Sequence, residues 1–309
     1  MPKPRPDQTS TTNSAQRAAS AESVQRAWRI AEAVAAAWTR HHGTGTDLHI
    51  PVSVVAALSL CTRHDPDGPD PARLITQLDP AGTAALLRGI WRDFVTTRPD
   101  LAVRVTPLIG WLLDNPTDWQ LDGAHTVATV AVRTRIMHLT DDADQRRNTD
   151  PLGAVLQTLR SRSSAAARGA FYTPQPVAEI LAHCLIGEML MAELAGVPHR
   201  RPGESILDPA AGTGAMLCGA ARVLRAHGHD PTAYRWYAND IDPLAAACLA
   251  VNAHRWDLGT HVVIGCADGL DDAWIDRAVR DRNDGISSLR AARMIAALDH
   301  LTRPAADAA

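Results

Sequence analysis

One stretch of twelve residues, Ile206-Leu-Asp-Pro-Ala-Ala-Gly-Thr-Gly-Ala-Met-Leu217, constrains the fold of this chain more than any other. A short apolar run, Ser205-Ile206-Leu207, passes directly into Asp208, then into glycines at 212 and 214, then into a helical pattern. Glycines placed after a strand and before a helix let the backbone bend tightly and approach a ligand closely. Two further strand-like runs follow, about Tyr234 to Ala238 and His261 to Cys266. They end in Asn239-Asp240-Ile241-Asp242-Pro243 and in Ala267-Asp268-Gly269, with a helix over 244–256 between them. Strands and helices alternating at these lengths predict a parallel sheet with right-handed crossovers.

The half that precedes this region has a different pattern. Residues 1–20 are rich in Pro, Ser, Thr and Gln without apolar periodicity, which predicts a disordered lead-in. From Ser20, a plausible N-cap, Val24, Ala27, Trp28, Ala31, Val34, Ala35 and Trp38 recur at helical spacing. Further helices are predicted near 51–63, 80–97, 100–114, 123–139 and 150–166. Pro151 behind Asp150 reads as an N1 proline behind an N-cap. Trp28, Trp38, Trp91 and Trp111 are expected in the core. The resulting division is a lead-in over 1–20, an all-helical domain over 21–168, a Rossmann-like α/β domain over 169–285, and a C-terminal helix and tail over 286–309. A chain of 309 residues is long enough for two such domains.

The acids at the strand ends narrow the ligand. A dinucleotide fingerprint requires a third glycine where this chain has Leu217, and a pyrophosphate at the helix N-terminus would be repelled by Asp208. S-adenosylmethionine carries a sulfonium and an ammonium and no phosphate, so a carboxylate there attracts it. Asp240 stands where a carboxylate can accept hydrogen bonds from the ribose hydroxyls, with Ile241 beside it to cover an adenine face. Asp242 is an alternate acceptor, although its place before Pro243 also suits a helix N-cap, and Asp268 can accept from the adenine amino group or cap the chain that follows.

These residues resemble a known family. Asp208-Pro-Ala-Ala-Gly-Thr-Gly214 looks like the DPACGTG cofactor motif of N6-adenine DNA methyltransferases, especially the modification subunits of type I restriction systems. GAFYTPQPVAEILA, Gly169 to Ala182, is similar to the motif that precedes it, and Asn239 to His254 and Gly265 to Leu270 to the next two. The resemblance covers about residues 165–270, behind a helical domain of the kind that family shows. It implies an S-adenosylmethionine-dependent methyltransferase domain. Asp208, Gly212 and Gly214 would serve the methionine end, with Ala210 and Thr213 also binding the cofactor, Asp240 the ribose, Ile241 an adenine face, Asp268 the adenine, and Phe171, Tyr172 and Thr173 the pocket wall. It also implies DNA as partner and adenine N6 as the methyl acceptor.

The chain departs from that family in one respect. Its enzymes act through an (Asp/Asn)-Pro-Pro-(Tyr/Phe) motif at the end of a fourth strand, and nothing after Asp268 has that form. Asn115-Pro116 is the only Asn-Pro pair, lies in the helical half, and reads as a helix end. No catalytic residue is therefore nominated. The parallel sheet is expected to be partial, with strand 205–207 at an edge that a helix at about 286–301 or a partner chain would cover. The isolated chain is expected to be inactive or to need that partner, unless it serves as a non-catalytic or degenerate module. Arg160, Arg162 and Arg168 are candidates for phosphate contacts or for solvated helix surface.

Composition excludes other classes. A net charge of −3 does not mark a nucleic-acid binder by itself. No apolar run approaches the ~20 residues of a membrane helix, and the N-terminus has no signal-like apolar region. The five cysteines lack metal-ligand spacing and suit buried thiols in a reducing cytoplasm, and no metal site is expected at the histidine pairs 41–42 and 227/229.

Overall fold

The computed structural model describes residues 8–42, 47–62, 70–160, 177–178, 180–184, 186 and 204–302. Among the described residues the helices α1 (Gln8–His42), α2 (His49–Leu60), α3 (Pro71–Gln77), α4 (Pro80–Thr97), α5 (Thr106–Leu113), α6 (Asp118–Arg133), α7 (Ala143–Asn148) and α8 (Pro151–Leu159) precede the sheet, and residues 177–178, 180–184 and 186 are helical too. Short 3-10 turns lie at Pro99–Leu101 and Ile136–Leu139. Then come β1 (Ser205–Asp208), α9 (Ala215–Ala226), β2 (Arg235–Asn239), α10 (Pro243–Arg255), β3 (Val262–Gly265) and α11 (Trp274–Thr302). The arrangement is the expected one, helices followed by a small α/β sheet.

Local chemistry explains many of the boundaries. Asp70, Asp79, Asp150 and Asp242 each precede a proline and each side chain accepts a backbone N–H of the helix it opens. The aspartate satisfies an otherwise unpaired donor, and proline at N1 has no N–H to leave unpaired. Thr117 and Gln120 open α6 with a reciprocal capping box. Asn115 sits at φ 51° in the turn between α5 and α6, as its reading as a helix end requires. The first helix begins upstream of the expected Ser20 cap, at Gln8, in a stretch that contains neither glycine nor proline.

α2 is the axis of the helical half. Every residue from Ile50 to Ser59 is buried, because the helix is wrapped by α4, α5, α6 and α8. It also touches α10, whose Ala245–Ala253 face is fully buried. A single apolar cluster thus runs from Ile30, Trp38 and Leu58 through Leu249 and Trp256 to Trp236 and Ile264. Trp38, Trp91 and Trp111 lie in this core as expected, but Trp28 does not: it is 41% exposed, on the outer face of α1.

The sheet is parallel, in the order β1-β2-β3. Ile206 is level with Trp236, and Trp236 with Val262. Among the described residues β1 is an edge strand, and Leu207 there is 52% exposed. The C-terminal helix does not cover that edge. It starts earlier than expected, at Trp274, and lays Trp274 and Ala278 against Val263 on the opposite side, with Gly285 closely packed on the carbonyl of Pro99. Met294 and Ile295 on this helix are exposed.

Because one core joins both halves, Leu58→Ala should lower a single unfolding transition by about 2–5 kcal/mol. Denaturant titration followed by far-ultraviolet dichroism and by tryptophan fluorescence should give coincident curves, and two separated transitions would contradict the shared core.

Candidate functional site

Parallel pairing brings the carboxyl ends of the three strands to one edge, so the loops after Asp208, Asn239 and Gly265 meet there. One side chain ties them. Asn239 is fully buried; its Nδ2 donates to the carbonyls of Pro209 (3.1 Å) and Ala267 (2.9 Å), and its Oδ1 accepts from the Ala267 N–H (3.1 Å). Its own carbonyl accepts from Ala211 N–H at 2.8 Å. Gly269 lets the third loop close on the first, since a Cβ there would lie 2.7 Å from the Pro209 carbonyl. Sequence reasoning passed over Asn239, although a carboxamide at the last inward position of a strand is a signal for such a tie.

The three acids differ in their surroundings. Asp208 is partly buried, and Oδ1 accepts from Ala210 N–H at 3.1 Å. Burial pushes its carboxyl above the usual carboxylate range; the charge of Asp240 adds to this, and the Ala210 hydrogen bond opposes it. Asp240 spans two loops, with Oδ2 accepting from Gly212 N–H at 2.7 Å and Oδ1 from Asp242 N–H at 2.9 Å. Asp268 is exposed and accepts from Leu270 N–H at 2.9 Å, two residues on, so it closes a local turn rather than capping α11. Asp242 caps α10 through Leu244 N–H and forms an ion pair with Arg160.

The glycine turn divides into an open and a closed part. Ala210 is exposed and Gly212, at φ 56°, is half-buried, whereas Ala211, Thr213 and Gly214 are buried. Gly214 lies at φ 99°, and a Cβ there would meet Leu249 Cδ1 at 2.5 Å and Trp256 Cζ3 at 2.8 Å. Its glycine is required by packing on α10 as well as by backbone conformation. Thr213 points inward, donating from Oγ1 to Asp150 Oδ2 at 2.6 Å. Ile241 (71% exposed) and Leu270 (92% exposed) stand in the second and third loops as uncovered apolar side chains.

Arg160 is buried against Asp242, which corrects both expectations for it: it is neither solvated surface nor free for phosphate. Arg162, Arg168, Phe171, Tyr172 and Thr173 lie outside the described residues. A cavity of about 560 Å³ lies at the opposite end of the sheet, between Arg147, Arg225, His254 and Asp257, and none of the strand-end acids lines it.

Residues 149–284 match the family model described as N-6 DNA Methylase. The matching segment runs from the residue before the α8 cap into α11 and contains all three loops of the site. No curated protein matches the chain. Among solved structures, one described as "cryoEM structure DrdV-DNA complex" is similar at 15% identity and a TM-score of 0.39, over 86% of this chain and 27% of that one. This chain therefore spans little more than a quarter of that protein's length.

Within residues 149–284, Gly214→Ala combines a strained φ with a clash against Leu249 and Trp256. The substitution should cost about 2–4 kcal/mol of stability. Chemical denaturation measures it, and a change below about 0.5 kcal/mol would show that the turn relaxes freely.

Proposed function

We propose that the strand-end loops bind S-adenosylmethionine and that the chain works in N6-adenine methylation of DNA. The observation that carries this reading is the pairing of two carboxylates, Asp208 and Asp240, around a glycine turn whose backbone is open at Ala210 and Gly212. Their donor set fits the group. Asp208 uses one carboxylate oxygen for Ala210 N–H, and a cation brought to the other oxygen would offset the burial that disfavours its charge. Asp240 is oriented by two backbone N–H groups, and its oxygens keep lone pairs for a ribose diol. Ile241 and Leu270 offer apolar surface to an adenine ring, and Asp268 stands in the loop where its amino group would be met.

When bound, S-adenosylmethionine supplies an electrophilic methyl group. This chain's residues would hold its charged end and exclude phosphorylated nucleotides from the glycine turn. Activation of the adenine amino group is not assigned to these loops, none of which carries an (Asp/Asn)-Pro-Pro-aromatic motif. We assign that task to another segment or partner chain, seated beside the edge of β1 that is unpaired among the described residues. The second reading is a cofactor- or DNA-binding module without catalysis. The two readings part on one experiment: addition of the product of a neighbouring gene should restore adenine methylation of plasmid DNA under the first and leave it absent under the second.

Calorimetric titration of S-adenosylmethionine into the full chain should show binding, weakened at least tenfold by Asp240→Ala, a loss of about 1.4 kcal/mol or more. Absence of binding at millimolar cofactor would overturn the reading.

Acidity gives a separate check. The raised Asp208 carboxyl takes up its proton at a higher pH than an ordinary carboxylate, so cofactor affinity should fall on acidification before the usual carboxylate range is reached. Affinity of the Asp208→Asn variant should be lower at neutral pH and lack that inflection. For folding the sign is opposite to that of a salt-bridged acid. A raised folded-state value means that Asp208 opposes stability as pH rises through it, so Asp208→Asn should stabilise the unliganded chain at neutral pH.

A further inference from the structure

Both ends of α8 are fastened to the loops assigned above to the cofactor. At its N-terminus, Asp150 Oδ1 accepts from the Gly153 N–H (2.8 Å) and from Asn252 Nδ2 (2.8 Å), while Oδ2 accepts from the Thr213 hydroxyl (2.6 Å). Asn252 Nδ2 also donates to the Thr213 carbonyl at 3.0 Å, so the residue inside the glycine turn is gripped through side chain and backbone together. Behind it, Arg255 Nη1 donates to Asn252 Oδ1 and to the Thr149 carbonyl, both at 3.1 Å. Thr149, Thr213, Asn252 and Arg255 are all buried. At the other end of α8, its C-cap residue Arg160 is ion-paired with Asp242, whose N–H is held by Asp240.

Gly153 makes this approach sterically feasible. A Cβ there would collide with Asp150 Oδ2 and lie 2.6 Å from Thr213 Oγ1. The first turn of α8 and the glycine turn can therefore meet only where the helix carries no side chain.

We propose that α8 is a brace for the cofactor site, with Asp150 and Arg160 as positioning residues that hold the glycine turn and the acidic loop after β2 in one relative geometry. The turn from Asp208 to Gly214 is built largely of small residues, whose side chains offer little surface to pack. Ordering such a segment costs backbone conformational entropy, and fixing it before the ligand arrives removes that cost from binding. The Thr213 hydroxyl faces Asp150 and is 3% exposed, so any effect it has on the ligand must pass through loop geometry. This inference rests on the cofactor reading, and the experiment separates the two.

S-adenosylmethionine is titrated by calorimetry into the full chain and its variants at 10 °C, with melting temperatures measured in parallel. The wild type should bind. Thr213→Val, which replaces the hydroxyl by a methyl group, should raise Kd about tenfold in protein that is still folded, and Thr213→Ser should restore it. Asp150→Asn should act through the same contact, so the double variant Asp150→Asn/Thr213→Val should bind no more weakly than the worse single one. Lowered melting temperatures with Kd unchanged from wild type would reduce α8 to a packing element and overturn the brace alone. A folded wild type that binds no cofactor at millimolar concentration would overturn the cofactor reading and the brace with it.

Discussion

One buried carboxamide turns three separate strand ends into a single site. Asn239 has no access to water, so each of its polar atoms must find a partner within the protein or cost about 1–3 kcal/mol. It finds them in the carbonyls of Pro209 and Ala267 and the N–H of Ala267, which belong to loops that follow different strands. Satisfying one side chain therefore sets the spacing of the loops that carry Asp208, Asp240 and Asp268. The close contact at Gly269 and the reach of Asp240 to Gly212 depend on that spacing.

The helical half is more than a neighbour of this site. α2 and α10 are both buried nearly all round, so neither could face solvent if the other half were removed. The glycine turn lies where the two halves meet. Its inner residues, Thr213 and Gly214, are committed to Asp150, Asn252, Leu249 and Trp256, and its outer residues, Ala210 and Gly212, remain open to a ligand. The turn packs its back against the core and turns Ala210 and part of Gly212 to solvent, their N–H groups held by Asp208 and Asp240.

Much of this was legible in the chain. The Asp-Pro pairs at 70–71, 79–80, 150–151 and 242–243 announce helix starts, because capping and proline geometry act within four residues. Periodicity placed β1, β2 and β3 and the helix between the last two to within about a residue. The burial of Arg160 was not legible, because its partner Asp242 is remote in sequence and the pair forms only once α8 packs against α10. The exposure of Trp28 and the docking of α11 on β3 rather than β1 were hidden for the same reason: an apolar stripe shows that a helix has a partner, not which partner it has.

By itself, the sequence determined most of the elements, though not the short helices α3 and α7, with the parallel α/β plan and the acids at the strand ends, since these follow from propensity, capping and periodicity over a few residues. Only the tertiary structure decided what each group faces. It turned Thr213 inward to Asp150, recruited Asn239 as the tie between loops, and drew Asp240 across to Gly212. Those choices belong to hydrogen bonds between residues about thirty to sixty positions apart, whose formation depends on excluding water from a shared core.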